Sequence, residues 1–361
     1  MRKSKKIKKG YILALAALLL LPCINILQAQ AAREIVLDQE CSLTVSVEVG
    51  AEPGSNDEYL GDLNQMSIPV SVYRVADVDI TGQKYTPTEA FKQMNFSGIS
   101  GNDSTVTAEK WQELAARAEE IRKAAGVEAA DTKTIESVEG SGKAARASIT
   151  GLLPGLYLIV PEEAYNPDYT VQYTFTPYLT ALPGSSYTLT GAGSDEWEYD
   201  AVIGLKPEAV PQFGRLNITK ELQNYNETLG PTTFVFRITG VDKNGTVQYE
   251  EVESMTYTAA GSNTITLEKI PAGLTVTVEE IYSGASYTVS GSKEETVVIW
   301  SDAAVAAGKE GASEASAAFR NCYNGGNRGG YGVTNHFELD GMESDGTRKW
   351  TWENPTGSAE Q

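Results

Sequence analysis

Three residues in the second half of the sequence, Lys220, Glu280 and Asn321, are of the types needed to join an amine to a carboxamide. Each sits in a run that alternates with period two. Leu216, Ile218 and Lys220 fall on one face of a strand, Val276, Val278 and Glu280 on one face of a second, and Phe319, Asn321 and Tyr323 on one face of a third. Side chains alternate across a strand, so each polar residue is predicted to enter the core with its apolar companions. A charge buried without a partner is costly, and the three make sense as reactants. Burial favours the uncharged forms, a nucleophilic amine and a protonated carboxyl. The carboxyl can polarise the asparagine carbonyl and pass protons while the amine attacks and ammonia leaves, forming an amide crosslink. Such a reaction runs once per chain and is not enzymatic turnover. Glu279 is adjacent to Glu280 but has the opposite parity. Asn335, in Val333-Thr-Asn335-His-Phe, takes the place of Asn321 if the last strand is the glycine-bounded one. The competing reading leaves Lys220 in a surface ion pair and Asn321 in a turn.

The elements around these residues are predominantly strands. Leu43 to Val47, Ile68 to Tyr73, Thr170 to Phe175, Phe234 to Ile238 and Leu274 to Val278 alternate between Gly, Asn, Asp and Ser turns, a pattern of antiparallel strands. One amphipathic helix is predicted near residues 108–125. Thr107 stands at its N-cap, Trp111, Leu114, Ala115, Ala118 and Ile121 form its apolar stripe, and Gly126 closes it. A shorter helix is expected near Pro87, preceded by Thr86 and with Phe91 inward. Both fall between strands of the first half, as an insertion that covers a sandwich face.

An internal repeat divides the chain. Ile149-Thr-Gly-Leu-Leu-Pro-Gly155 with Glu162 parallels Leu267-Glu-Lys-Ile-Pro-Ala-Gly273 with Glu280, each glutamate seven residues after its glycine. The expected fold is all-β, two tandem immunoglobulin-like sandwiches, the first with the helical insertion. The expected segments are a signal peptide at 1–31, a first domain at 34–208, a second at 209–323, and a Gly-rich turn with C-terminal strands at 324–361. The boundary falls near Lys206-Pro-Glu-Ala-Val-Pro-Gln-Phe-Gly214, where two prolines bracket an extended linker.

Composition narrows the functional classes. Met1 to Gly10 carries six basic residues and no acid, Tyr11 to Leu27 is apolar, and Ala29-Gln30-Ala31 is a small-x-small cleavage site, together a secretory signal. Its removal leaves 23 basic against 48 acidic side chains, a net charge of −25. That charge disfavours nucleic acid and anionic membrane surfaces. A single histidine argues against a His-dependent triad or zinc cluster, and no cofactor or metal is expected. After cleavage the two remaining cysteines, Cys41 and Cys322, are expected to be unpaired. Asp77-x-Asp79-x-Thr81-Gly82 begins like a calcium loop, but Thr88 stands where the bidentate glutamate belongs, so a strand turn is expected. Trp350 and Trp352 alternate as on a sandwich face. The glycines of 324–332 lack the Lys-Ser/Thr of a phosphate loop.

Residues 214–323 resemble a Cna B-type domain of Gram-positive surface proteins and pilins, through Leu216-x-Ile-x-Lys220, Ile270-Pro-Ala-Gly273 leading to Val278-Glu-Glu280, and Phe319-x-Asn321. The resemblance implies an intramolecular isopeptide bond between Lys220 and Asn321 with Glu280 as its catalyst. Residues 35–208 resemble the N-terminal domain of pilin subunits, through Tyr73-Arg-Val-Ala-Asp77, the Gly155 turn, Thr176 to Pro183 and Trp197 to Ala201. There Val47 stands in place of the lysine, so no equivalent crosslink is expected. Pilin backbones carry an acceptor lysine at a set distance from a tryptophan. Lys206 matches that spacing from Trp197, although the residues between depart from the motif, and an ordinary linker lysine is the competing reading. The Leu-Pro-x-Thr-Gly sorting signal of the family is not seen, and sorting to the wall by that route is not expected of this sequence.

The resemblance thus implies a secreted, pilin-like or adhesin-like structural protein at the cell surface or in a pilus. Its partners would be other pilin subunits joined through a sortase, with host matrix or glycan as further partners. A soluble binding module for matrix or glycan is the alternative. A secreted glycan hydrolase with paired carboxylates is a third class, but no carboxylate pair stands out.

Overall fold

The computed structural model describes residues 34–47, 57–99, 106–137, 144–185, 197–326, 336–342 and 348–353. The signal segment 1–31 and Asn335 lie outside them. The chain divides into two compact units, Met1–Gln212 and Phe213–Gln361.

In the first unit, β1 (Cys41–Ser46), α1 (Asp57–Gln65), β2 (Ile68–Val78) and β3 (Tyr85–Pro87) lead to a single 3-10 turn at Glu89–Phe91. Next come α2 (Ala108–Ala125), β4 (Asp131–Ile135), β5 (Arg146–Leu152), β6 (Gly155–Pro161) and β7 (Ala164–Tyr165). β8 (Val171–Phe175), β9 (Tyr178–Leu182), β10 (Gly184–Ser185), β11 (Trp197–Glu198), β12 (Asp200–Gly204) and β13 (Pro207–Pro211) complete it. β1 pairs antiparallel with β5 and parallel with β12. β2 lies between β3, β4 and β6, and β6 continues to β9. Alternate residues of β2 and β6 serve two cores. Val70, Val72, Tyr157 and Ile159 meet Leu43 and Val45, whereas Tyr73, Leu156 and Leu158 meet Leu114, Ala118 and Ile121 of α2. The helix therefore covers one sheet face. Each such buried aliphatic or aromatic side chain contributes about 1.5–3 kcal/mol.

Local chemistry sets the ends of α2. The Thr107 hydroxyl accepts from the Lys110 amide at 3.3 Å, and Gly126 adopts φ 60° to let its N–H reach the Arg122 carbonyl. The expected helix near Pro87 is instead the end of β3 followed by one 3-10 turn, with Thr88 at its start and Phe91 buried. Pro87 lies in the strand because Ala76 pairs with it across the ladder. The proline-bracketed stretch beginning at Pro207 is likewise a strand, since β13 pairs antiparallel with β8. Asp79 closes a turn, accepting from the Gln83 and Lys84 amides.

The second unit begins with β14 (Phe213–Leu222), β15 (Thr232–Val241), β16 (Val247–Tyr257), β17 (Gly261–Pro271) and β18 (Thr275–Tyr282). It continues with β19 (Tyr287–Val289), β20 (Glu294–Val298), α3 (Asp302–Ala306), β21 (Ala315–Tyr323), β22 (His336–Met342) and β23 (Arg348–Glu353). Two four-stranded sheets form, in the orders β17-β14-β21-β19 and β16-β15-β18-β20. Leu216, Ile218, Phe234, Phe236, Val276, Val278 and Phe319 belong to the one core they enclose. β22 and β23 make a separate antiparallel pair, and Trp350 and Trp352 lie on β23. Cys41 is buried, Cys322 is half-buried, and both are free thiols.

Candidate functional site

The alternation of β14, β18 and β21 carries Lys220, Glu280 and Asn321 inward, and each is fully buried at 0% exposure. β14 and β21 are parallel neighbours in one sheet, with Lys220 opposite Phe319 and Leu222 opposite Asn321. Glu280 enters from the other sheet. Its strand is bulged against β15 between Val235 and Phe236, beside the pair Phe236 and Glu280. Such a bulge re-aims side chains locally.

The three side chains meet. Lys220 Nζ donates to Glu280 Oε2 at 2.6 Å, and Asn321 Nδ2 donates to Glu280 Oε1 at 2.5 Å. The carboxyl thus touches both the amine and the amide through different oxygens. Asn321 Nδ2 also lies 3.4 Å from the Ser283 carbonyl, whereas Asn321 Oδ1 is buried with no hydrogen-bond partner. Polarisation of the amide oxygen by the carboxyl, expected from the residue types, is not the contact present; the carboxyl faces the amide nitrogen.

The surroundings are apolar. Lys220 Nζ stands 4.6 Å from the Phe234 ring centroid and 5.8 Å from that of Phe236, and Phe319 packs on Phe236 at 5.1 Å. Burial holds the Lys220 amine below the ordinary lysine value, and hydrogen bonding and attraction to Glu280 oppose that shift. The ring faces also favour the cation, but desolvation is the largest effect and the amine is brought toward its nucleophilic form.

Glu279 points outward, pairing with Arg237 and Lys293, as its parity requires. In the first unit Glu162 is exposed and Val47 is buried, so that unit lacks both the lysine and an inward carboxylate at the repeated position. Lys206 lies just before β13, its Nζ 4.5 Å from the Tyr178 ring centroid.

Sequence reasoning missed Phe234, Phe236, Tyr257 and Ser283. The parity of Phe234-Val-Phe236 would have put both rings inward. Tyr257, whose hydroxyl donates to the Lys220 carbonyl, shares the inward parity of Met255. The Ser283 contact is made by backbone and carries no residue-type signal.

Residues 216–324 match a family model described as a domain of unknown function, DUF5979. No curated protein matches the chain. Among solved structures, the chain is similar to GBS52, the minor pilin of Streptococcus agalactiae, with 16% identity over 78% of this chain and 96% of that one, at a TM-score of 0.22. The major pilin SpaD of Corynebacterium diphtheriae gives 13% identity over 82% and 100%, at 0.24. The basal pilin SpaE of Lactobacillus rhamnosus GG gives 13% over 73% and 86%, at 0.30. These three solved structures, to which the chain is similar, are pilins of Gram-positive bacteria.

Proposed function

We propose that the chain is a secreted, pilin-like surface structural protein whose second unit ties its first and last sandwich strands by an isopeptide bond between Lys220 and Asn321. The observation that carries this reading is a lysine, a glutamate and an asparagine in hydrogen-bond contact at 0% exposure. As a static feature, a buried ion pair adds little stability. As reactants, the three need burial.

The step starts from the neutral amine and the protonated carboxyl. Lys220 Nζ attacks Asn321 Cγ, the new C–N bond forms, and the Cγ–Nδ2 bond breaks. Glu280 takes one proton from the lysine nitrogen at Oε2 and delivers one to the leaving nitrogen at Oε1, so ammonia departs and the carboxyl ends as it began. The product resists mechanical and proteolytic opening much as a disulfide would, without depending on redox state.

Lys206 is the residue we assign to accept a neighbouring subunit in a sortase reaction, on its spacing from Trp197. The acidic signal-free chain suits an extracellular surface, with other pilin subunits, host matrix or glycan as its partners.

The deciding experiment is the intact mass of residues 32–361, beside a Lys220→Ala variant corrected for its substitution. Loss of one ammonia, about 17 Da, in the parent alone supports the crosslink. An unreduced mass in well-folded parent protein overturns it.

A further inference from the structure

The Asn321 amide nitrogen carries two hydrogens, and both have acceptors: Glu280 Oε1 at 2.5 Å and the Ser283 carbonyl at 3.4 Å. The amide oxygen has no partner. A buried carboxamide can face either way, and its neighbours choose by what they accept or donate. A backbone carbonyl can only accept. Ser283 therefore favours nitrogen on its side of the amide, and the same rotation sets nitrogen against Glu280.

We infer that the Ser283–Gly284 turn positions the crosslinking reaction by orienting the Asn321 amide so that its leaving nitrogen, not its oxygen, meets Glu280. This rests on the reading that Lys220 and Asn321 react. The turn joins β18, which carries Glu280, to β19, whose Val289 pairs with Asn321. Its course depends on Gly284, at φ +80°, where an added Cβ would lie 2.8 Å from Thr232 Oγ1 and 3.1 Å from the Tyr287 ring. As the Cγ–Nδ2 bond breaks, nitrogen departs with its own two hydrogens and the proton from Glu280. Ser283 keeps that nitrogen on the proton path throughout.

The test uses chain 32–361 recovered from unfolded, insoluble material into denaturant, its starting mass verified as unreacted, then diluted to fold while mass is followed. Gly284→Ala is expected to slow ammonia loss by about ten- to hundredfold per folded molecule, the range for a displaced reacting group. Gly245→Ala is the control, because Gly245 also has a positive φ, +77°, but open space around it. It should crosslink at the parent rate. Folded fractions are read by circular dichroism, and Thr232→Ala added to Gly284→Ala removes the hydroxyl that the new Cβ meets. Partial recovery of the rate in that double variant assigns the effect to the turn. Parent-rate crosslinking in folded Gly284→Ala overturns the inference while leaving the crosslink standing. A parent that never loses ammonia overturns both.

Discussion

Asn321 lies two residues beyond the register partner of Lys220, because β14 and β21 run parallel with Lys220 opposite Phe319 and Asn321 opposite Leu222. Diagonal neighbours at this offset stand roughly 7–8 Å apart between backbones, within reach of a long side chain. A lysine can span that gap within one sheet, and Glu280 closes over it from the other. The geometry couples first strand to last, the pair whose separation opens the sandwich.

Losing the covalent tie should cost the second unit stability. The bond would close a loop of 100 residues between Lys220 and Asn321, worth about 4–5 kcal/mol by chain entropy. Asn321→Ala should therefore unfold at clearly lower urea concentration than the parent. Equal midpoints for the two would count against a crosslinked parent.

The two glutamates of β18 should separate cleanly. Glu280→Gln removes the proton carrier and should retain full unreacted mass, corrected for the substitution. Glu279→Gln touches only the exposed Arg237 and Lys293 pairs and should crosslink as the parent does. Mass spectrometry of both variants decides it.

In the uncrosslinked Asn321→Ala chain, Lys220 should make stability depend on pH. Burial holds the folded amine below its ordinary value of 10.5. Between those two values the unfolded chain binds more protons than the folded one, so stability rises with pH. The penalty is fully present below the folded value and is relieved as pH passes the unfolded one. Urea midpoints across pH 7 to about 10, beside Lys220→Met/Asn321→Ala, should show a steeper rise only where Lys220 remains.

The first unit offers an independent check on helix ends. Thr107→Ala should cost about 1 kcal/mol through the lost cap, and Gly126→Ala about 1 kcal/mol through the left-handed φ. Thermal unfolding of each variant would reveal the shift, and unchanged transitions would show that α2 contributes little to the unit.

Much of this was legible in the sequence, because period-two alternation decides which face a side chain takes. Lys220, Glu280 and Asn321 each followed their apolar neighbours inward, and Thr107 and Gly126 marked both ends of α2 by their own chemistry. Alternation carries no strand direction, so the parallel pairings of β1 with β12 and β14 with β21 could not be read from it. α1 was invisible because its Asp-Glu-Tyr-Leu-Gly-Asp-Leu-Asn-Gln sequence holds a glycine and no broad apolar stripe; among its described side chains, Leu63 alone is fully buried. Pro207 and Pro211 suggested a linker, yet a strand tolerates proline at its ends, where it bounds β13. The facing of the Asn321 amide depends on a backbone carbonyl, which any residue at 283 would supply.

The parallel closure of β1 on β12 recurs as that of β14 on β21, but in the first unit Val45 stands opposite Ile203 with only hydrogen bonds between the strands. Once Lys220 and Asn321 are joined, the 100 residues between them no longer lie on the load path, and about 330–360 Å of extended chain cannot be drawn out. In the first unit Val47 stands where the second has Lys220, so no such restraint is expected there. A molecule stretched from its two ends would therefore pair one inextensible segment with one that can pay out length and shorten again, a shock absorber beside a fixed link.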